Sequence, residues 1–264
     1  MSSNLFRLRV QRFTEGLFGG RVCFNRGRMH ASRDMADLAA AGRRLATIFD
    51  VGANVGQSAE RFIAHFPDAK IFCFEPMGKS AAQLEHNVRA FPNVRCFRAA
   101  CGARLGEAIL YSSGSSLTST LVPEAESFQP VETVPVTTVD ATAGKLGLDR
   151  IDLLKIDAEG FDLEVLKGAS TLLARKRIGA VLAEVGFGRD DHRHVLFDEV
   201  RDFLAGYGYS LFGIYGQQLE WNGDPRLRFA NALFTDFAPY ATETLKAGQR
   251  PVADPPVAAP LKLS

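Results

Sequence analysis

The chain reads as an α/β protein: a mostly parallel sheet with helices on both faces. Three observations predict this. Apolar runs of strand length alternate with helix-like segments along most of the sequence. The run Ile48-Phe49-Asp50-Val51 ends in a turn bearing Gly52 and Gly56 and feeds a helix from Gln57 to about Phe66. A second strand, Lys70 to Phe74, then ends in Glu75, which lies 23 positions after Gly52. That spacing suits a carboxylate that reaches the ribose of an adenosine ligand in a βαβ unit. With 264 residues, the chain has enough material for one such domain and its core.

Each later element has its own signal. Lys79 to Ala90 has helical character and is closed by Phe91-Pro92-Asn93. A third strand, Val94 to Ala99, leads into the small residues Ala100-Cys101-Gly102. Between Gly106 and Val139 the alternation breaks. Two extended pieces, Glu107–Tyr111 and Val131–Val139, flank the polar stretch Ser112–Thr120, which reads as a loop over the site or a surface connection. The fourth strand, Ile151 to Ile156, delivers Asp157 at its carboxyl end, and the fifth, Ala180 to Ala183, delivers Glu184. Ligands of open α/β sheets bind at that edge. A helix from about His194 to Ala205, stopped by Gly206 and Gly208, precedes two final strands, Tyr209–Ile214 and Asn231–Asp236.

The glycine turn narrows the ligand. A dinucleotide fingerprint needs glycine at the third and sixth positions from Gly52, where Asn54 and Gln57 stand. No Gly-Lys-Ser/Thr triplet opens a helix, so the P-loop pattern also fails. What remains, Asp50-x-Gly52-x-Asn54-x-Gly56, resembles the first motif of class I S-adenosylmethionine-dependent methyltransferases, with Asn in place of the middle glycine. The block Lys155-Ile156-Asp157-Ala158-Glu159-Gly160-Phe161-Asp162, continuing to Val165-Leu166-Lys167-Gly168, is similar to a signature of the FkbM family of methyltransferases. Ala230-Asn231-Ala232-Leu233-Phe234-Thr235-Asp236 resembles that family's ending. The resemblance implies a Rossmann-like class I methyltransferase fold with a seven-stranded sheet whose last strands pair antiparallel. It implies S-adenosyl-L-methionine as cofactor and O-methylation of a sugar, glycan or related small metabolite, with N-methyl acceptors also allowed. On this reading Asp50, Gly52, Asn54, Gly56, Glu75 and Asp157 bind the cofactor.

An alcohol acceptor must lose a proton during or after attack, which a carboxylate or histidine can take or a metal can ease. Asp157 fits base, cofactor ligand, metal ligand or N-cap of the next helix. Glu184 ends the neighbouring strand, so the two carboxylates can converge on one hydroxyl or on one Mg²⁺. Asp190-Asp191-His192-Arg193-His194 lacks a recognised metal-ligand spacing. It reads as a solvated helix start or, more sharply, makes His192 or His194 the proton acceptor. Trp221 with Tyr215 supplies either an aromatic wall for a sugar or ordinary packing.

Composition bounds the rest. A net charge of +1 gives no case for nucleic acid. Residues 1–44 hold nine arginines against three acids and form a basic extension; 45–237 form the domain; 238–264 are a Pro- and Ala-rich tail. Four cysteines without a CxxC pair suit reduced thiols and a cytoplasmic setting. No apolar run approaches the ~20 residues of a transmembrane segment. The competing readings are an NAD-dependent oxidoreductase on a similar sheet and a non-catalytic glycan-binding protein. Oligomeric state is not legible.

Overall fold

The computed structural model describes residues 45–113, 119–121, 128–188, 191, 193–220 and 225–236. The chain runs β1 (Thr47–Val51), α1 (Gln57–His65), β2 (Lys70–Phe74), α2 (Gly78–Val88) and β3 (Val94–Phe97). Four strands follow, β4 (Ala100–Cys101), β5 (Gly106–Ser112), β6 (Ser119–Thr120) and β7 (Gln129–Thr137). The chain continues through α3 (Val139–Lys145), β8 (Ile151–Ile156), α4 (Asp162–Lys167), α5 (Ser170–Ala174) and β9 (Ile178–Gly186). It ends with α6 (Phe197–Gly206), β10 (Ser210–Leu219) and β11 (Leu227–Thr235).

The main sheet has seven strands in the order β10-β11-β9-β8-β1-β2-β3. The pairs β1–β2, β2–β3, β1–β8 and β8–β9 are parallel. Only β11 breaks the pattern, running antiparallel to both β9 and β10. This is the mostly parallel, Rossmann-like seven-stranded sheet that the sequence predicts. The strand order reverses at β1, between β2 and β8, and such a switch point opens a crevice at the carboxyl ends of the strands.

Successive strand residues face opposite ways, and β1 shows the result. Ile48 joins an apolar cluster with Phe62 and Ile63 of α1 and Leu84 and Val88 of α2. Phe49 joins the cluster on the other face, with Leu166 of α4, Leu173 of α5 and Leu204 of α6. Burying an amphipathic stripe such as Ala59, Phe62 and Ile63 is what fixes α1 on the sheet. A second sheet, β4-β7-β5-β6, carries its own small core of Ala100, Leu110 and Val134.

Two sequence expectations change. The sixth helix begins at Phe197 rather than His194, because Asp191, Arg193 and His194 are held elsewhere by side-chain contacts. Asp157 does not cap the helix after β8, since Phe161 occupies that position without a side-chain bond. Tyr215 is 5% exposed and packs in the apolar cluster of Leu182 and Leu233, which makes it a packing residue; Trp221 lies outside the described residues.

Candidate active site

The turn after β1 is shaped by its neighbours. Gly52 has φ of +72°, and a Cβ there would lie 1.7 Å from the Asp157 carbonyl oxygen. Only glycine allows the β1 turn to pass this close to the end of β8. Gly52 and Ala53 both donate their N–H to the Phe74 carbonyl, each at 3.0 Å, which ties the turn to β2. Asn54 follows with φ of 47°, and Gly56 starts α1 with φ of 100°.

Glu75 fixes the other side. Its Oε2 accepts the Asn54 N–H at 2.9 Å and its Oε1 accepts the Met77 N–H at 2.9 Å. Burial pushes its pKa up, against the two backbone donors and Lys155. Each oxygen keeps lone-pair capacity, and the carboxylate faces the cleft beside Gly52, Asn54 and Asp157. The Asn54 Oδ1 is buried without a hydrogen-bond partner among the described residues. Ala100, Cys101, Leu110, Leu121 and Phe161 make the cleft's opposite wall apolar. From β6, Thr120 also borders it and donates its hydroxyl to the Glu159 carbonyl at 2.8 Å. Residues 114–118 of the predicted loop lie outside the described residues.

Lys155 sits beneath the cleft, buried in β8, and holds two carboxylates. Its Nζ lies 3.3 Å from Asp50 Oδ1 and 3.3 Å from Asp157 Oδ2. It also donates to the Gly52 carbonyl at 3.2 Å. Burial disfavours the ammonium, but Asp157 and Asp50 outweigh that and push its pKa up. Asp50 is fully buried, and its Oδ2 accepts the Ser58 hydroxyl at 2.5 Å. Asp50 therefore lies below the turn, and neither it nor Gly56, at the start of α1, is among the residues lining the cleft.

A second charged cluster joins Glu184 of β9 to the segment that follows the strand. His194 Nε2 is 3.1 Å from Glu184 Oε2, and His194 Nδ1 is 2.7 Å from Asp191 Oδ2. The imidazole stacks on Phe229, with ring centroids 4.5 Å apart and planes 15° apart. Burial disfavours its charge, but Glu184 and Asp191 outweigh burial and raise its pKa to about 9. Burial raises Glu184, with the His194 bond opposing and the Asp157 charge reinforcing the shift. Arg193 reaches Glu159 Oε2 at 2.7 Å. So Asp191 and His194 are parts of a buried network, not a solvated helix start; His192 lies outside the described residues.

The FkbM methyltransferase domain model matches residues 50–211, more than half of the chain. This chain belongs to the FkbM methyltransferase family. The 2-O-methyltransferase NoeI of Sinorhizobium fredii is 27% identical over 145 residues, which are 49% of this chain and 60% of NoeI. The methyltransferase sdnD of Sordaria araneosa is 31% identical over 153 residues, 46% of this chain and 59% of sdnD. This chain thus spans about three fifths of the length of either relative. Among solved structures, an rRNA methylase from Streptococcus thermophilus aligns with a TM-score of 0.46 at 10% identity, covering 81% of this chain and 98% of that one.

Within the FkbM domain the structure brings Gly52, Asn54, Glu75 and Asp157 to one cleft at the switch point. Sequence reasoning missed Lys155, Ser58, Arg193 and the buried Asp162, whose Oδ1 accepts the Ala158 N–H at 3.3 Å. One signal for Lys155 was present: a lysine inside the buried run Leu153–Ile156 needs a partner. The donor set does not fit a Mg²⁺ ion. Asp157 is paired with Lys155 and Glu184 with His194, and among the described residues no group of three or more His, Cys, Asp or Glu is arranged to hold a metal. No described helix is long and apolar enough to cross a membrane.

Proposed function

We propose that this chain transfers a methyl group from S-adenosylmethionine to a hydroxyl of a sugar or related small metabolite, in a cytoplasmic setting. The observation that carries the reading is the cleft beside Gly52. There Glu75 is aimed by two backbone donors, and the buried Asn54 Oδ1 has no partner among the described residues. An adenosine ligand fits this arrangement: Glu75 accepts from the ribose hydroxyls, and the apolar wall with Ala100 and Cys101 takes the base. Oxygen as the acceptor atom is supported by the relative NoeI, a 2-O-methyltransferase.

When bound, S-adenosylmethionine supplies a methyl group on a sulfonium, already activated for in-line displacement. The chain's residues then have three tasks: to place the acceptor, exclude water and receive one proton. Asp157 borders the cleft and is held by the Lys155 ammonium, which suits it to orient the acceptor and favour the cationic cofactor. Glu184 lies in β9, one residue beyond the ladder with β8, and its raised proton affinity suits it to accept a proton. Bound S-adenosylmethionine would supply the methyl group to the acceptor oxygen, and Glu184 would take the proton that the hydroxyl loses.

Calorimetry of S-adenosylhomocysteine with the purified chain, with and without Mg²⁺, tests the cofactor. Micromolar or tighter binding, indifferent to Mg²⁺, is expected. Binding of NAD(H) instead would favour the oxidoreductase reading and sink this one. A screen of monosaccharides and methyl glycosides with labelled S-adenosylmethionine then identifies the acceptor.

A further inference from the structure

We infer that His194 is a positively charged positioning residue that keeps Glu184 ionised and fixed near Asp157, which borders the cleft. The inference rests on the methyl-transfer reading for its purpose, but its geometry stands alone. Both ring nitrogens of His194 face carboxylate oxygens, Asp191 Oδ2 at 2.7 Å and Glu184 Oε2 at 3.1 Å. A neutral imidazole has one N–H and one lone pair, so it satisfies only one of them and repels the other. The imidazolium donates to both. Its side chain is 6% exposed, and stacking on Phe229 fixes the ring plane.

The surroundings support the charge. Asp191 is held in place by the Arg193 N–H at 3.1 Å and lies 3.7 Å from Arg228 Nε. Arg228 in turn lies over the Phe229 ring, 5.8 Å from its centroid, on the strand that stacks against His194. Among the described residues, Glu159, paired with Arg193, Asp157, paired with Lys155, and the buried Asp162 also stand around the pair. Glu184 would otherwise be a buried carboxylate near two others, Asp157 and Glu159, and both burial and those charges favour its neutral form. His194 opposes them. The sequence supplies the couple in a short stretch, but the fold must bring Asp191 and His194 back onto the end of β9 to use it.

This excludes His194 as the proton acceptor, because a side chain already carrying both ring protons has none to gain. It gives the residue a measurable signature instead. Nuclear magnetic resonance of the full chain with ¹⁵N-labelled histidine, His194 assigned from its loss in His194→Gln, reads the ring directly. Both ring nitrogens are expected to be protonated at neutral pH. In Glu184→Gln, and again in Asp191→Asn, the titration midpoint falls by about one pH unit or more. A neutral ring at pH 7.5, or a midpoint unmoved by both variants, overturns the inference.

The purpose is read in the pH profile of kcat/KM with the methyl glycoside selected by the screen. A general base must be ionised, so activity rises as pH passes its pKa. Without the cation, the Glu184 pKa rises, and His194→Gln moves the acidic limb up by about one pH unit. S-adenosylhomocysteine affinity is expected to stay within about twofold, since His194 does not line the cofactor cleft. An unmoved limb overturns the positioning assignment. Failure of the wild-type chain to bind S-adenosylhomocysteine overturns the methyl-transfer reading instead, and the histidine titration still stands or falls by itself.

Discussion

A Cβ on Gly52 must occupy space now filled by the Asp157 carbonyl oxygen, 1.7 Å away, and the backbone there is left-handed. Backbone cannot yield as a flexible side chain can, so the β1 turn and the end of β8 have to separate. Gly52→Ala is expected to lower stability by about 2–4 kcal/mol. It should also weaken S-adenosylhomocysteine binding more than tenfold, as read by thermal melts and calorimetry; wild-type affinity would show that the turn does not form the site. Glu75 has two duties, because its carboxylate also satisfies the backbone N–H groups of Asn54 and Met77. Glu75→Ala therefore costs stability, on the order of 1–3 kcal/mol, as well as cofactor affinity. Glu75→Gln keeps an acceptor oxygen and should recover part of the lost melting temperature. If Ala and Gln melt alike, the backbone bonds carry little. The spacing of Glu75 from Gly52 made its place beside the glycine turn legible in the sequence. The bonds to Asn54 and Met77 were not, because they need the fold to bring the turn and β2 together.

At the scale of elements, the sequence is most legible where one local pattern decides the structure. β1 and β2 stand close to where their apolar runs place them, as does α1. β9 is longer than predicted, Ile178–Gly186 rather than Ala180–Ala183, because its ladder with β11 continues to the pair Gly186–Phe229. Such an extension depends on a partner strand over forty residues away. Helix α5 gives a second case. It has no side-chain cap of its own, yet the Asp140 carboxylate, from the first turn of α3, accepts the Thr171 and Leu172 N–H groups at 2.8 and 3.1 Å. A capping box is local, so this cap across two helices leaves no trace in the spacing. Asp140→Ala is expected to cost about 1 kcal/mol in chemical denaturation. S-adenosylhomocysteine affinity should not change, because Asp140 is remote from the cleft lining. A loss of affinity larger than twofold would mean that α3 and α5 bear on the site.

For the molecule as a whole, buried charge links stability to pH. The Lys155 and His194 clusters and the buried Asp162 feel one another's charges through Asp157 and Glu184, which is why their protonation was not legible residue by residue. Asp162 is 2% exposed, and burial followed by the Asp157 charge raises its pKa to about 7. In the unfolded chain an aspartate titrates near 3.9. Between those values the native state holds a proton that the unfolded state has lost, so this residue's contribution falls as pH rises from about 4 to 7. The whole decline amounts to at most about 4 kcal/mol. His194 acts in a higher window. Its native pKa, near 9, lies above the unfolded value of about 6.5, so its contribution is full below 6.5 and is lost as pH rises to 9. The measurement is the difference in unfolding free energy between wild type and Asp162→Asn, followed from pH 4 to 9. That difference should decline between 4 and 7 and then level. The corresponding difference for His194→Gln should be level up to about 6.5 and decline beyond it. The two declines separate because one group is a carboxylic acid kept neutral by burial and the other an imidazole kept charged by Glu184 and Asp191. A rising difference for Asp162→Asn would mean that the native carboxyl is ionised and paired, and would move Asp162 from the protonated interior to the charged network around Lys155.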